Sequence, residues 1–301
     1  MENFIIIAIS ILSGVFLKKF RALPKDSHKI INLWIIYVAL PAITLHNIPK
    51  MQWNLELLLP IAMPLIVFIA AFLFIQLLGR FMYLGKSLKG ALLLTIGFSN
   101  LSFLGFPLTE AYYGKQGLQL AILCDQVGFI TLSSLGIITA SYASATDKSD
   151  FSGISILKKL IIFPPTIAFV LALVLPKIVN FNGIAIDVVL KSFGGTMVPM
   201  ALFSVGMQLQ FKHWKSDKLL LVAALSYKLF LAPLLIMLIS GFFIIDKFVI
   251  QVSVLEAAMA PMVTSVIVAT EFGLKPKLCS MILSFGIPIS FITTYLWYYF
   301  L

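Results

Sequence analysis

The sequence predicts an all-α membrane protein: ten transmembrane helices in two inverted five-helix repeats, with helices four and nine broken and crossed. Three observations predict it. First, 60% of the 301 residues are hydrophobic and only 11% are charged, where soluble domains carry about 25% charged residues. Second, ten apolar runs, near 4–20, 29–49, 56–79, 89–112, 117–142, 159–176, 184–208, 219–241, 248–270 and 278–300, consume nearly the whole chain. Each is close to the ~20 residues needed to cross ~30 Å of hydrocarbon. Third, Lys and Arg alternate in density from gap to gap. The odd gaps hold sixteen, from Lys18, Lys19 and Arg21 through Lys86 and Lys89 to Lys275 and Lys277. The even gaps hold four, Lys50, Lys115, Lys177 and Lys247. Basic residues in short loops stay cytoplasmic, so both termini are expected outside a cell membrane.

Taken in order, the first span starts after Glu2 and its basic cluster follows the apolar run. That order argues for a retained span rather than a cleaved leader. The second span carries Pro41 in Val38–Leu45. After the third comes Gly85-Lys86-Ser87, which looks like the end of a phosphate-binding loop. No strand precedes it and Gly79 is one residue too far upstream, so it reads as a basic cytoplasmic loop. The polar stretch Ser144–Ser155, with Asp147, Lys148, Asp150 and Gly153, separates five spans (1–146) from five (147–301). A repeat with an odd number of spans re-enters the membrane in the opposite sense, so duplication here means inversion. Pro199 in the seventh span follows Pro41 by 158 residues, close to half the chain. The +10 net charge lies in membrane-flanking loops, where it reads as a topology signal beside anionic headgroups rather than a nucleic-acid footprint.

The fourth and ninth spans are unlike the rest. Gly97-Phe98-Ser99-Asn100-Leu101-Ser102-Phe103-Leu104-Gly105-Phe106-Pro107 puts Gly, Pro, Ser and Asn midway along an apolar helix. Glu256 through Ser265, with Pro261, Met262 and Thr264, does the same at similar depth. Proline removes a backbone donor and collides with the carbonyl four residues earlier. Freed backbone groups cost several kcal/mol in hydrocarbon unless they meet protein or a wet cavity. Breaks are therefore expected near Ser99–Gly105 and Ala258–Met262. Paired interruptions in two halves are the best sequence pointer to a transporter's binding site.

At these residues the chain resembles the auxin efflux carrier family, which includes the plant PIN proteins and bacterial carboxylate transporters. The likeness rests on NLSFLGFPL at 100–108 followed by AYYG at 111–114. LPAITLHNI at 40–48, MALFSVGMQL at 200–209, YKLFLAPLLIM at 227–237 and AAMAPM at 257–262 follow in the family's order. The resemblance runs the whole length, without the long cytoplasmic loop of the plant members. It implies a fold like that of bile-acid transporters. Helices one, two, six and seven would form a scaffold through which a homodimer assembles, and helices three to five and eight to ten would form a moving transport domain. It further implies that helices four and nine cross at the substrate site, where the family's asparagine contacts the substrate carboxylate; Asn100 matches it. Ser99 stands where plant members have proline, and Met262 follows the matching Pro261 where a polar residue is usual. Those departures fit a small organic acid of the bacterial branch better than auxin. Ser99, Asn100, Gly105, Pro107, Pro261, Met262 and Thr264 are thus the substrate-site candidates.

Charged residues inside spans are costly and usually face a partner or water. Lys191 lies one helical turn after Asp187, so an i,i+4 pair is expected. Lys228 sits about ten residues into the eighth span with no acidic residue near it in that helix; Asp125 and Glu256 lie at comparable depth and are its expected partners. A carboxylate in a low-dielectric site resists ionisation while a neighbouring lysine favours it. Asp125, Glu256 and Lys228 are therefore the ion-coupling candidates, and a static ion pair fits them equally well. Glu110, near the outer end of the fourth span, is expected to reach solvent. Cys124 and Cys279 read as buried thiols, and His28, His46 and His213 share no metal-ligand spacing. No cofactor is expected.

Each broken helix restarts inside the membrane with exposed N–H groups and a positive dipole end. With Asn100 as donor, such ends suit an anion. The expected function is secondary active or facilitated transport of a small carboxylate, malate-, malonate- or auxin-like, by alternating access, with a proton as the expected coupling ion and sodium as the alternative. A sodium-coupled carrier of bile-acid type and a membrane sensor that binds without transporting remain as rivals. An intramembrane hydrolase would need a Ser-His or paired-Asp constellation that the spans lack.

Overall fold

A computed structural model describes residues 2–24, 26–144, 162–175, 184–209 and 217–301. Most of the Ser144–Ser155 connection lies outside the described residues, as do Lys148, Lys158, Lys159, Lys177, Lys212, His213 and Lys215. The described chain is helical: α1 Glu2–Lys19, α2 Ser27–Lys50, α3 Leu55–Phe81, α4 Lys86–Ile96, α5 Leu101–Ala143 and α6 Pro164–Val174. There follow α7 Ile184–Gly194, α8 Met197–Gln208, α9 Lys218–Ser240, α10 Lys247–Ala257, α11 Val263–Glu271 and α12 Pro276–Phe300. Among the described residues six stretches are long and apolar enough to cross a membrane: α2, α3, α5, Ile186–Gln208, α9 and α12. Their outer faces are apolar too. In α3, Phe72, Leu73 and Leu77 are exposed while Ala71 and Ile75 are buried. Lipid tolerates such a surface and water does not.

The chain forms two compact units, each drawing on both halves of the sequence. The first comprises Met1–Asn54, Ser102–Ile122 and Lys158–Leu209; the second, Leu55–Leu101, Leu123–Leu157 and Gln210–Leu301. In the first unit α1 lies along α8 with backbones touching. A Cβ on Gly14 would strike the Phe203 carbonyl, and one on Gly206 the Ile11 carbonyl. Small residues at such crossings let helices associate by close packing where lipid offers no hydrophobic drive. Lys18 then donates to the Leu209 carbonyl at 2.9 Å, satisfying a group left over past the end of α8. In the second unit Gly90 of α4 packs on Ala143 of α5 in the same way.

Among the described residues three helices contain four π turns: 35–39 in α2, 101–105 and 132–136 in α5, and 227–231 in α9. Three of these are followed two residues later by a proline, Pro41, Pro107 and Pro233. Proline cannot donate to the carbonyl four residues back, and its ring crowds that carbonyl. A widened turn before it relieves the clash. The Leu229 carbonyl, four residues before Pro233, instead accepts a hydrogen bond from the Trp297 indole at 3.0 Å.

Candidate functional site: a helix crossover and a basic cavity

The second unit contains the two helix interruptions. α4 ends at Ile96, residues 97–100 are non-helical, and α5 starts at Leu101. The break thus falls earlier than the Ser99–Gly105 expected from Pro107. Gly97 ends the helix, and the π turn 101–105 accommodates Pro107 without a second break. A Cβ on Gly97 would collide with the Leu93 carbonyl and press on the Phe68 ring. The other interruption, between α10 and α11, spans 258–262 as expected.

The two non-helical stretches pair with each other. The Asn100 N–H donates to the Ala260 carbonyl at 2.9 Å and the Met262 N–H to the Phe98 carbonyl at 3.1 Å. Ser99 and Pro261 face each other in one antiparallel bridge. Because the flanking residues make both bonds, the opposed pair needs no N–H, so a proline is tolerated there. Gly286 of α12 makes room for the Pro261 ring; a Cβ there would overlap it.

Lys228, fully buried in the π turn of α9, reaches this pairing. Its ammonium donates to Ser99 Oγ at 2.6 Å and to the Ala257 carbonyl at 2.8 Å. Ala257 lies four residues before Pro261, so no helical N–H can take its carbonyl. The sequence assigned Lys228 a carboxylate partner; its hydrogen bonds go to a hydroxyl and a backbone oxygen, 129 and 29 residues away. Glu256, fully buried, lies within electrostatic reach of the ammonium, and Glu256 and Asp125 both lie within such reach of Cys124, the residue before Asp125. Lys228, Glu256 and Asp125 therefore occupy one buried neighbourhood.

Asn100 is 1% exposed, and its side-chain Nδ2 has no hydrogen-bond partner among the described residues. A buried unpaired amide donor costs about 1–3 kcal/mol and is rare enough to require a reason. The void at the break is small: about 10 Å³, lined by Asn100's chain neighbours Ser99 and Leu101 with Gly128 and Met262, room for roughly one water. Other candidates fall elsewhere. Thr264 is exposed on α11, and its neighbour Ser265 is the buried hydroxyl, donating to the Met262 carbonyl at 2.9 Å. Gly105 and Pro107 are buried in the part of α5 that belongs to the first unit.

That first unit holds a cavity of about 350 Å³, the low end of the ~300–1,000 Å³ typical of ligand sites. His46, Glu110, Lys115 and Lys191 line it along with Pro107 and apolar side chains such as Ile43. Gly114, at φ +67°, breaks α5 so that Lys115 begins its next stretch. Asp187 does not pair with Lys191 as expected from their spacing. Its Oδ1 accepts from Lys50 at 2.9 Å and lies 3.0 Å from His46 Nδ1. This clasp ties the end of α2 to the start of α7, whose far end approaches α2 closely where Gly194 meets Ile43.

Apolar helices with lipid-compatible faces, interrupted in two places at a polar buried pairing, define a polytopic helical membrane protein. The chain matches the membrane transport protein family over residues 1–298 and belongs to it. It is similar to an uncharacterized transporter of Methanocaldococcus jannaschii, 27% identical over 99% of this chain and 97% of that one. An uncharacterized transporter of Methanothermobacter thermautotrophicus is 25% identical, with 98% and 96% covered. The uncharacterized transporter YfdV of Escherichia coli K12 is 24% identical, with 97% and 95% covered.

Proposed function

We propose that this membrane transporter carries a small organic acid anion, a mono- or dicarboxylate, by alternating access, and that Asn100 is a direct ligand of the carboxylate. The observation that carries the reading is the Asn100 amide, buried at a helix restart with a donor that nothing in the described protein accepts. A carboxylate would take that donor, and the positive end of a restarted helix favours a negative charge. The void at the break is too small for any carboxylate, so binding requires the crossover to open, as a cycle of alternating access would do.

The proposed architecture is ten spans in two inverted five-helix repeats, 1–146 and 147–301, with both termini extracytoplasmic. Spans one, two, six and seven act as scaffold and dimer surface; spans three to five and eight to ten move. The division of contacts supports this, since 1–54 and 158–209 fall in one unit and 55–101 and 210–301 in the other, although 102–122 joins the scaffold side. The coupling ion in this reading is a proton carried by Asp125 or Glu256. Sodium needs a cage of oxygens, and two oxygens at the break, Ser99 Oγ and the Ala257 carbonyl, already surround an ammonium.

The test is uptake of labelled organic acids by proteoliposomes with pH and sodium gradients varied independently. A hydrogen bond to a charged group is worth about 1.5–3 kcal/mol. Asn100→Ala should therefore raise the dissociation constant roughly tenfold or more while the purified protein keeps its melting temperature. Unchanged affinity would remove Asn100 from the site. Uptake that follows sodium and ignores pH would reverse the choice of ion. Proton-driven uptake that survives both Asp125→Asn and Glu256→Gln would move the proton elsewhere.

A further inference from the structure

We infer that the first unit's cavity is a second anion site, distinct from the crossover, which receives a small carboxylate between Lys115 and Lys191. The argument begins with Asp187. Its spacing to Lys191 would make the pair self-neutralising, but its carboxylate is held by Lys50 and His46 instead. That leaves the Lys191 ammonium, one turn further along α7, without an ion pair or hydrogen bond among the described residues, and it lines the cavity. Lys115 lines it from α5, placed there by the turn at Gly114.

Against these two positive charges the cavity lining presents one carboxylate, Glu110, and a histidine, His46. The excess is positive whether or not the histidine is protonated. The remaining walls, Ile43, Leu118, Leu190 and Val198 among them, are apolar. A bare inorganic ion would gain nothing from such walls, whereas a short carbon skeleton with a terminal carboxylate uses both features. The walls are also held in place: α2 and α7 are joined by the Lys50–Asp187–His46 clasp and by the backbone approach of Gly194 to Ile43. Preorganised charge in a concave apolar setting raises the local concentration of an oppositely charged ligand. The class of ligand rests on the carboxylate reading proposed above; the anion preference of the cavity does not.

The experiment reads the cavity without transport. Val198→Cys, nearly isosteric, is introduced into a chain in which Cys124 and Cys279 are replaced by alanine. Its rates of modification by anionic sulfonatoethyl methanethiosulfonate and by cationic trimethylammonioethyl methanethiosulfonate are compared with those of 2-mercaptoethanol in the same buffer. The normalised anion-to-cation ratio should exceed one, and should fall by about tenfold or more in Lys115→Gln/Lys191→Gln. Both lysines are exposed, so these variants should fold. Sodium malonate should slow the modification where sodium chloride of equal ionic strength does not, and should still do so in Asn100→Ala. A ratio of one or less, a ratio indifferent to the lysines, or no reaction with either reagent overturns the anion site even if uptake proceeds as proposed. Protection lost in Asn100→Ala would mean the cavity and the crossover are not separate sites. Absence of malonate protection in the parent removes a carboxylate as the occupant. Protection with uptake insensitive to Asn100→Ala would keep the cavity and overturn the crossover reading instead.

Discussion

The crossover of the second unit and the cavity of the first unit use polar groups in opposite ways. At the crossover, apart from the Asn100 side-chain amide, the polar groups described above are engaged with another part of the chain. Two backbone bonds join the broken helices, and Lys228 is fully buried with its ammonium on a serine hydroxyl and a proline-orphaned carbonyl. In the cavity the lysines are exposed lining residues, and Asp187 bonds to Lys50 and His46 rather than to Lys191. A lysine in the first setting holds the backbone together; a lysine in the second is available to a ligand. The same residue type thus has a structural cost of removal in one place and a binding cost in the other.

Substituting the two lysines tests that contrast most directly. Lys228→Ala removes two hydrogen bonds from a charged donor, each worth about 1.5–3 kcal/mol, so it should destabilise the purified protein by about 3 kcal/mol or more. Lys191→Ala, an exposed change, should stay within about 0.5 kcal/mol. Thermal unfolding in detergent compares them; equal shifts would erase the distinction. Gly286→Ala comes next in size. The new methyl would press into Pro261, and overpacking of this kind costs about 1–3 kcal/mol. Gly85→Ala, where nothing lies within 4 Å, is the matched control and should leave the melting temperature in place.

Trp297→Phe should cost about 1–2 kcal/mol by leaving the Leu229 carbonyl unsatisfied. The penalty should shrink in a Pro233→Ala background, where residue 233 regains an N–H that the carbonyl can accept. A double-mutant cycle showing no coupling between the two sites would disprove the assignment. Asp187→Asn should have the smallest effect. The clasp is half exposed, where solvent screening leaves an ion pair little net worth, so the melting temperature should barely move.

The helical class and the two interruptions were legible because they rest on local chemistry. Gly97, Pro261 and the long apolar runs act within a few residues of themselves. The break in the fourth apolar run was misplaced by a few residues for the same reason: Pro107 looked like a breaker, and nothing local announced that a π turn would absorb it. Charge partners were legible only in part. Asp187 chose Lys50, 137 residues away, over a lysine four residues along its own helix. Lys228 has Glu256 within electrostatic reach, as its depth suggested, but its hydrogen bond to Ser99, 129 residues away, had no signal in the sequence. Pairing rules written for neighbours on one helix cannot compete with groups that folding delivers from another. Which of Thr264 and Ser265 is buried was not legible either, since a one-residue change of phase decides it and Ser265 is the buried hydroxyl.

The π turns have a geometric consequence of their own. Each holds one residue more than the α-helix around it, so it behaves as a single-residue insertion and rotates everything after it by about 100° relative to an unbroken helix. In α9 that rotation separates the register of Lys218–Ser226 from that of Ala232–Ser240. Removing one residue from 227–231 would restore a regular spiral and keep the composition almost unchanged. It would also leave the face bearing Pro233 and Ile236, both buried, pointing where it does now, because the lost residue is the one the wide turn absorbs. The same deletion elsewhere in the helix, with the π turn kept, would swing that face by about 100°.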